Sequence, residues 1–223
     1  MTKHRAAADT ADRRRSAWRP LAFAAVGTAT LVAMGTGVWA TLSATATNTT
    51  PEQVTSGTLK LAMANNGTGF SQNITNMAPG DVVNRYVDLT NSGTLDGQAL
   101  TLQVAATGSS PLVTDGATSK ALRVSVFQCT GGTWNPTTGA CTGGTSSSLL
   151  AATPLSGLGS AVTLAPGSLA SGGVTRLQVS VQLPDQSETT VNGVAPAGTV
   201  QGQSVSLTYT FGETQRSATT TNS

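Results

Sequence analysis

Residues 205–211 read VSLTYTF, and apolar and hydroxyl-bearing residues alternate along the whole of this stretch. Successive side chains of a β-strand point to opposite faces of its sheet, so this segment would have one apolar and one polar face. The apolar face consists of Val205, Leu207, Tyr209 and Phe211. The pattern predicts a strand in an antiparallel sheet that has one buried and one solvated face.

The same alternation recurs in other segments, at residues 58–63, 83–89, 100–104, 122–126 and 177–183. Arg85 interrupts the apolar face of the second of these segments. Turn sequences such as PGD at 79–81 and NSG at 91–93 lie between segments, because Pro fixes φ and Gly or Asn accepts a positive φ. Residues 148–158 are the one candidate for a short helix. We therefore predict an all-β fold, an antiparallel β-sandwich.

The composition limits the classes of function. Charged residues make up 10% and apolar residues 38% of the 223 residues, which is enough for one β-rich domain. Six of the twelve Lys and Arg residues lie within residues 1–20, so residues 41–223 carry six basic and eight acidic residues, a net charge of −2. Because no basic patch with interleaved aromatic residues occurs, nucleic acid is not expected as a partner.

The first 40 residues have the layout of an export signal. Residues 1–19 form a polar, basic n-region, and residues 20–40 form an apolar h-region that we expect to be a hydrophobic helix. The segment ends on small residues, so cleavage is predicted between Ala40 and Thr41, and the mature protein is expected to be secreted. The alternative is an uncleaved anchor, because the apolar run is long enough to span a bilayer. Contact with a membrane is expected only through this segment.

Residues 41–55 follow the predicted cleavage site as an extended, Thr-rich segment. Leu42, Ala44 and Ala46 share one face of it, opposite Thr and Ser side chains. This pattern suits a strand that adds to the exposed edge of a sheet. A flexible linker and an edge strand within the same subunit are the alternatives. Residues 56–214 would form the sandwich, and residues 215–223 a polar tail.

Cys129 and Cys141 enclose the sequence TGGTWNPTTGA. An exported chain with two Cys residues is expected to join them in a disulfide, which would stabilise the fold by about 2–4 kcal/mol. A redox or metal-binding pair is disfavoured, because the spacing is not C-x-x-C and no other ligand residues cluster there. Trp134 in this loop either packs on the disulfide, which we favour, or is a surface contact.

No catalytic constellation is found. His4, the only histidine, lies within the predicted signal, so residues 41–223 contain none. A Ser-His-Asp triad is therefore excluded from the mature chain, and the commonest zinc ligand is absent from it. We predict that the protein is not an enzyme and that it has no catalytic, cofactor-binding or metal-binding residues.

Several motifs together resemble one family. GTGVWA at 35–40 is followed by VTSGTLKL at 54–61, APGD at 78–81, LTNSGT at 89–94 and YTFGETQ at 209–215. In this order and spacing they are similar to the TasA and camelysin (CalY) family, in which a GTxA or GTWA signal end precedes a GTLDL strand. The resemblance covers most of the chain and is strongest at its two ends. The Ala, Thr and Gly bias is typical of an actinobacterial-like member.

The resemblance implies that the sandwich is a jelly roll and that a SipW-type signal peptidase removes the signal. It also implies that subunits polymerise head to tail into biofilm-matrix fibres by donor-strand exchange, in which the N-terminal strand of one subunit completes a sheet of the next. Leu42, Ala44 and Ala46 would then face the neighbouring subunit, so the partner is a second copy of the chain.

Two other functions stay open. The protein could be a monomeric cell-surface adhesin or binding module, with Trp134, Tyr86 and the loop 129–141 as its contact surface. It could also be a camelysin-like peptidase, an activity described for relatives, although no H-E-x-x-H motif is present to support it.

Overall fold

The computed structural model describes residues 52–108, 110–116 and 119–222. Residues Ser56–Ser223 form one compact unit. The predicted signal, its cleavage site between Ala40 and Thr41, and the donor candidates Leu42, Ala44 and Ala46 lie outside the described residues. Within the described residues, no helix has the length and apolar character needed to cross a membrane.

Strands dominate the described part of the chain, as the alternating segments predict. They are β1 Leu61–Asn66, β2 Val82–Asn91, β3 Gly97–Gly108, β4 Arg123–Thr130, β5 Thr133–Trp134, β6 Cys141–Thr142, β7 Thr145–Pro154, β8 Val162–Leu169, β9 Val174–Gln182 and β10 Val205–Gln215. Helical structure in this described part is limited to α1 Ser110–Val113 and a 3₁₀ turn at Leu155–Gly157. The prediction of an all-β, antiparallel fold is confirmed.

The strands form two main sheets. Sheet A has five strands in the order β1-β2-β9-β4-β7, and sheet B has three in the order β10-β3-β8. All the pairings are antiparallel. The connections β2–β3, β3–β4, β7–β8, β8–β9 and β9–β10 each pass from one sheet to the other, which is the kind of connection that a jelly roll uses. A two-stranded ribbon of β5 and β6 lies within the β4–β7 connection.

One hydrophobic core joins the inner faces of both sheets. Sheet A supplies Val87, Leu89, Val124, Val126, Leu177, Val179 and Val181. Sheet B supplies Leu100, Leu102, Val104 and Leu164. These residues occupy alternate strand positions, and burial of each large aliphatic side chain contributes about 1.5–3 kcal/mol. The alternation of apolar residues in the sequence therefore identifies which strand residues face the core.

Two of the sequence motifs meet beside β1 and β2. Ser92 N donates to Lys60 O at 2.7 Å, and Thr94 N donates to Thr58 O at 2.8 Å. A Cβ on Gly93 would lie 2.3 Å from Thr58 O, so only glycine allows this close approach of the two backbones. The buried Asn91 closes the turn, because its Nδ2 donates to Leu95 O at 2.8 Å.

The helix expected at residues 148–158 is wrong for most of its length. Residues 148–154 lie in β7, which pairs with β4, and only Leu155–Gly157 form a helical turn. Pairing with β4 satisfies the backbone groups of this stretch and overrides its weak helical pattern. The sequence APG at 165–167 has the residues of a turn but lies within β8, an edge strand of sheet B, where a Pro can be accommodated.

Candidate functional site: a cleft beside the last strand

A cleft of about 1060 Å³ opens beside β10, between its N-terminal half and the inner face of sheet A. Apolar side chains from several parts of the chain line it: Ile74, Met77, Leu112, Leu122, Val181, Leu183, Val205 and Leu207. Val181 and Leu183 are buried, whereas Val205 and Leu207 keep part of their surface exposed. About as many polar residues as apolar ones line the cleft, among them Asn73, Arg85 and Gln203, so its lining is mixed in character.

Residues 70–77 form one wall of the cleft. This segment begins in the turn at 67–72 and continues without forming a β-strand. Phe70 stacks on Tyr209 of β10, with ring centroids 4.3 Å apart and planes inclined by 10°. Arg85 of β2 donates from Nη2 to Gln72 O at 3.3 Å. These two contacts hold the segment against the sandwich. Burial raises the pKa of Tyr209 to about 12, so its phenol stays neutral at physiological pH.

The other wall carries polar groups from the β9–β10 connection. The side-chain amide of Gln186 lines the cleft, and both its Oε1 and its Nε2 are buried without a hydrogen-bond partner. Glu188 is ion-paired with Lys120 and accepts a hydrogen bond from Thr199 Oγ1. These contacts lower the pKa of Glu188 to about 2, the bond to Lys120 being the largest cause. Among the described residues, Gln186 is thus a buried side chain of the cleft whose polar atoms have no hydrogen-bond partner, whereas Glu188 is already paired.

Only one edge of β10 pairs with another strand of the described residues. Its one strand neighbour in the described part of the chain is β3, with Leu207 opposite Ala106 and Phe211 opposite Leu102. Among the described strands, sheet B has three and sheet A has five. No described strand pairs with the second edge of β10, and the backbone N–H and C=O groups of such an edge are a template for another extended segment.

The two cysteines lie away from the cleft, on the outer face of sheet A. Cys129 and Cys141 form a disulfide with their Cα atoms 5.5 Å apart, as the sequence predicts. Trp134 is 4% exposed and packs with Tyr86, their ring centroids 5.8 Å apart. Its Nε1 donates to Arg176 O at 3.1 Å. The indole packs with the disulfide beneath its own loop, as we favoured from the sequence, and the alternative of Trp134 as a surface contact is wrong.

Sequence reasoning found the disulfide but not the cleft. Gln186 carries no sequence signal, because it lies in an irregular connection between two strands. Arg85 does carry one: it interrupts an apolar strand face, and the structure places it on the cleft wall. The donor candidates Leu42, Ala44 and Ala46 stay a prediction.

The comparison with protein families gives one match. Residues 19–123 match the family model described as camelysin metallo-endopeptidase. No curated protein matches the chain. The matched range includes strands β1 to β3 and the first residue of β4, and with them the paired motifs at 54–61 and 89–94.

The family description names a metal-dependent peptidase, and the described residues do not fit a catalytic metal centre. No group of three His, Cys, Asp or Glu residues in the described ranges could hold a metal ion. The carboxylates are separately engaged instead: Asp115 pairs with Arg123 at 2.8 Å, and Asp81 accepts a hydrogen bond from Ala78 N at 2.7 Å. No catalytic step through a metal can be derived from this arrangement.

Proposed function

We propose that this chain, a member of the camelysin/TasA family, is an extracellular structural protein whose subunits polymerise into matrix fibres by donor-strand exchange. The observation that carries the proposal is the cleft beside the edge of β10 that no described strand pairs with. In the proposed fibre, residues 41–47 of one subunit lie along β10 of the next and cover that cleft.

The free edge supports this role because it can extend sheet B. An added strand forms main-chain hydrogen bonds with the edge, while its alternate side chains enter pockets along the face it covers. β10 spans Val205–Gln215, which is longer than the seven residues of the donor segment. The whole donor segment can therefore pair with the edge.

The side chains of the donor segment suit the cleft. Leu42, Ala44 and Ala46 would face the apolar wall formed by Val181, Leu183 and Leu207. Thr and Ser, at the alternate donor positions, would face the solvent. Each apolar side chain removed from water stabilises the assembly, at roughly 25 cal/mol per Å².

Gln186 favours an occupant of the cleft that can form hydrogen bonds with its side-chain amide. A buried amide that lacks both a donor and an acceptor is costly, and a peptide group offers one of each. An extended peptide in the cleft can satisfy Oε1 and Nε2 of Gln186 together. A purely apolar ligand would leave both atoms unpaired.

Donation from one subunit to the next is a head-to-tail contact, and such a contact produces open filaments when it does not close into a ring. Removal of the signal by a SipW-type signal peptidase, between Ala40 and Thr41, would free the donor segment. In this proposal assembly follows export, and the fibres belong to the cell surface or the biofilm matrix.

The test uses protein that begins at Thr41 and a truncated form without residues 41–50. We expect electron microscopy to show filaments of the first protein and folded monomers of the second, with matching far-ultraviolet circular dichroism. A synthetic peptide of residues 41–50 should bind the truncated protein, and a scrambled peptide of equal composition should bind at least tenfold more weakly, on the order of 1.4 kcal/mol. Filaments of the truncated protein would contradict the proposal.

Two outcomes would favour the other functions. A persistent monomer from the protein beginning at Thr41 would favour a surface-binding module, whose contact surface would then exclude the buried Trp134. Proteolysis by the pure protein that a chelator abolishes would favour the peptidase named in the family description.

A further inference from the structure

Residues 70–77 line one wall of the cleft without belonging to either sheet, and we call them the strap. Both ends of the strap are fixed. It begins in the turn at 67–72, and beyond its other end Gly80 N donates to Leu183 O at 2.9 Å. Between these points, residues 73–77 form no hydrogen bond with any other described residue. Segments with so few hydrogen bonds open at a low cost in free energy, so the strap can move while its ends stay in place.

Apolar contacts hold the strap against the sandwich. Ile74 and Met77 are half-buried and pack against the core, whereas the other residues of 71–77 are exposed. Phe70 lies flat on the ring of Tyr209, with 4.3 Å between the ring centroids. Side chains that face each other on neighbouring strands pack at a similar distance, about 4.5–5.5 Å between Cβ atoms. Phe70 therefore makes the kind of contact with β10 that a side chain of an added strand would make.

We propose that the strap is an internal competitor of the donor segment, an inference that rests on the proposed fibre function. In the free subunit, the strap covers the part of the cleft next to Tyr209. The donor segment of another subunit displaces the strap when it pairs with β10, and its apolar side chains replace Phe70 and Ile74. Because only the opened fraction of the subunits accepts a donor, the apparent affinity falls and the addition of subunits slows.

Displacement of the strap and a strap that stays in place have opposite effects on Met77. If the strap stayed, the donor segment would lie over it and bury Met77 further, whereas displacement exposes Met77. Met63 of β1 is 51% exposed and lies outside the strap. These two are the only methionines in residues 41–223. Since oxidation by hydrogen peroxide follows exposure, Met63 is an internal reference for Met77 in the same sample.

The first experiment compares the free subunit with the filament, using protein that begins at Thr41. The free subunit is the monomer fraction from size-exclusion chromatography. Mass spectrometry measures the oxidation rate of each methionine in dilute hydrogen peroxide. We expect Met77 to oxidise about fivefold faster in filaments than in the monomer, and Met63 to oxidise no faster. Slower or unchanged oxidation of Met77 in filaments would overturn the inference.

The second experiment loosens the strap with Phe70→Ala in the same protein. Phe127→Ala is the matched control, because Phe127 is also half-buried but packs beside Trp134, away from the cleft. Light scattering measures the initial rate of assembly, and circular dichroism checks that each variant is folded. We expect about tenfold faster assembly of Phe70→Ala and an unchanged rate for the control. Ile74→Ala should give a smaller increase, and it replaces Phe70→Ala if that variant does not fold.

The outcomes separate the strap from the fibre itself. Assembly of Phe70→Ala at the wild-type rate or more slowly would overturn the inference, because Phe70 would then be a fixed part of the binding surface. Monomers from the wild type and from every variant would instead contradict the fibre proposal, and the inference would fail with it.

Discussion

Sheets A and B share one core but differ in what covers their outer faces and edges. Loop 129–141 lies over sheet A, where Trp134, Tyr86 and Cys129 form a second buried cluster. Asp88 and Arg176 add a charge pair on the same face, 4.0 Å apart. Within the described residues, no comparable loop cluster lies over sheet B, and its edge strand β10 borders the cleft. The two sheets thus differ in how the described part of the chain covers them.

Substitutions in the core should give the largest difference in the free energy of unfolding between the two sheets. Leu177 of sheet A is 0% exposed, whereas Leu207 of sheet B lies at the cleft and is only partly buried. We expect Leu177→Ala to reduce the free energy of unfolding by about 3 kcal/mol, and Leu207→Ala by about 1 kcal/mol, because the second site leaves little new cavity. Urea denaturation of protein lacking residues 41–50 measures both. Equal losses would remove the contrast between the sheets.

Removal of the disulfide tests how much the loop over sheet A contributes to the stability of the fold. We expect Cys129→Ser with Cys141→Ser to lower the free energy of unfolding by about 2–4 kcal/mol, because the open loop gains conformational entropy in the unfolded chain. The fluorescence of Trp134 should shift to the red as the loop loosens. Filament formation should persist at temperatures where the variant is folded, since the loop lies away from β10. Loss of filaments from a folded variant would assign the loop a part in assembly.

The smallest change in stability is expected from the carboxylate of Glu213 in sheet B. Both carboxylate oxygens of Glu213 are buried without a partner, next to Gly97. Burial raises the pKa of Glu213 above its ordinary value of 4.5, so the charged form opposes folding as the pH rises above that value. We expect Glu213→Gln to stabilise the protein slightly at pH 7 and to have little effect at pH 3, where the carboxyl group is protonated. Thermal denaturation at both values measures this.

Glu188→Gln is the matched control, because the sign of its pH dependence is opposite. The folded-state pKa of Glu188 is lowered to about 2, so its contribution to stability is present above 4.5 and is lost as the pH falls toward about 2. Its variant should be less stable than the wild type at pH 7, and the difference should shrink on acidification. Parallel pH profiles for the two variants would show that the burial of Glu213 has no energetic consequence.

Sequence reasoning located the strands that alternate and missed those that do not. β2, β3, β9 and β10 carry a clear period of two, because each buries one face. β7 begins with Thr and three Ser residues and lies at the edge of sheet A, so little of its pattern reflects burial. β8 contains Pro166 and Gly167, which usually mark a turn. In both cases, pairing with a neighbouring strand decides the structure.

The cleft could not be predicted for a different reason. Its walls come from residues 70–77, from Leu112 and Leu122, and from the β9–β10 connection, which are far apart in sequence. The local hydrophobic periodicity of the sequence cannot indicate a cleft whose walls come from such distant segments. Arg85 was the one visible sign, since a charged residue on an apolar strand face needs a polar neighbour. The structure supplies that neighbour as the carbonyl oxygen of Gln72.

The pairing of β10 with β3 has a consequence for the order of events during folding. β3 occupies the centre of sheet B, yet one of its two partners is the last strand along the described chain. Long chain segments must close before such contacts form, and this slows folding. A nascent chain thus has no cleft until β10 is synthesised and docked. Incomplete chains therefore lack the surface through which we propose that subunits associate.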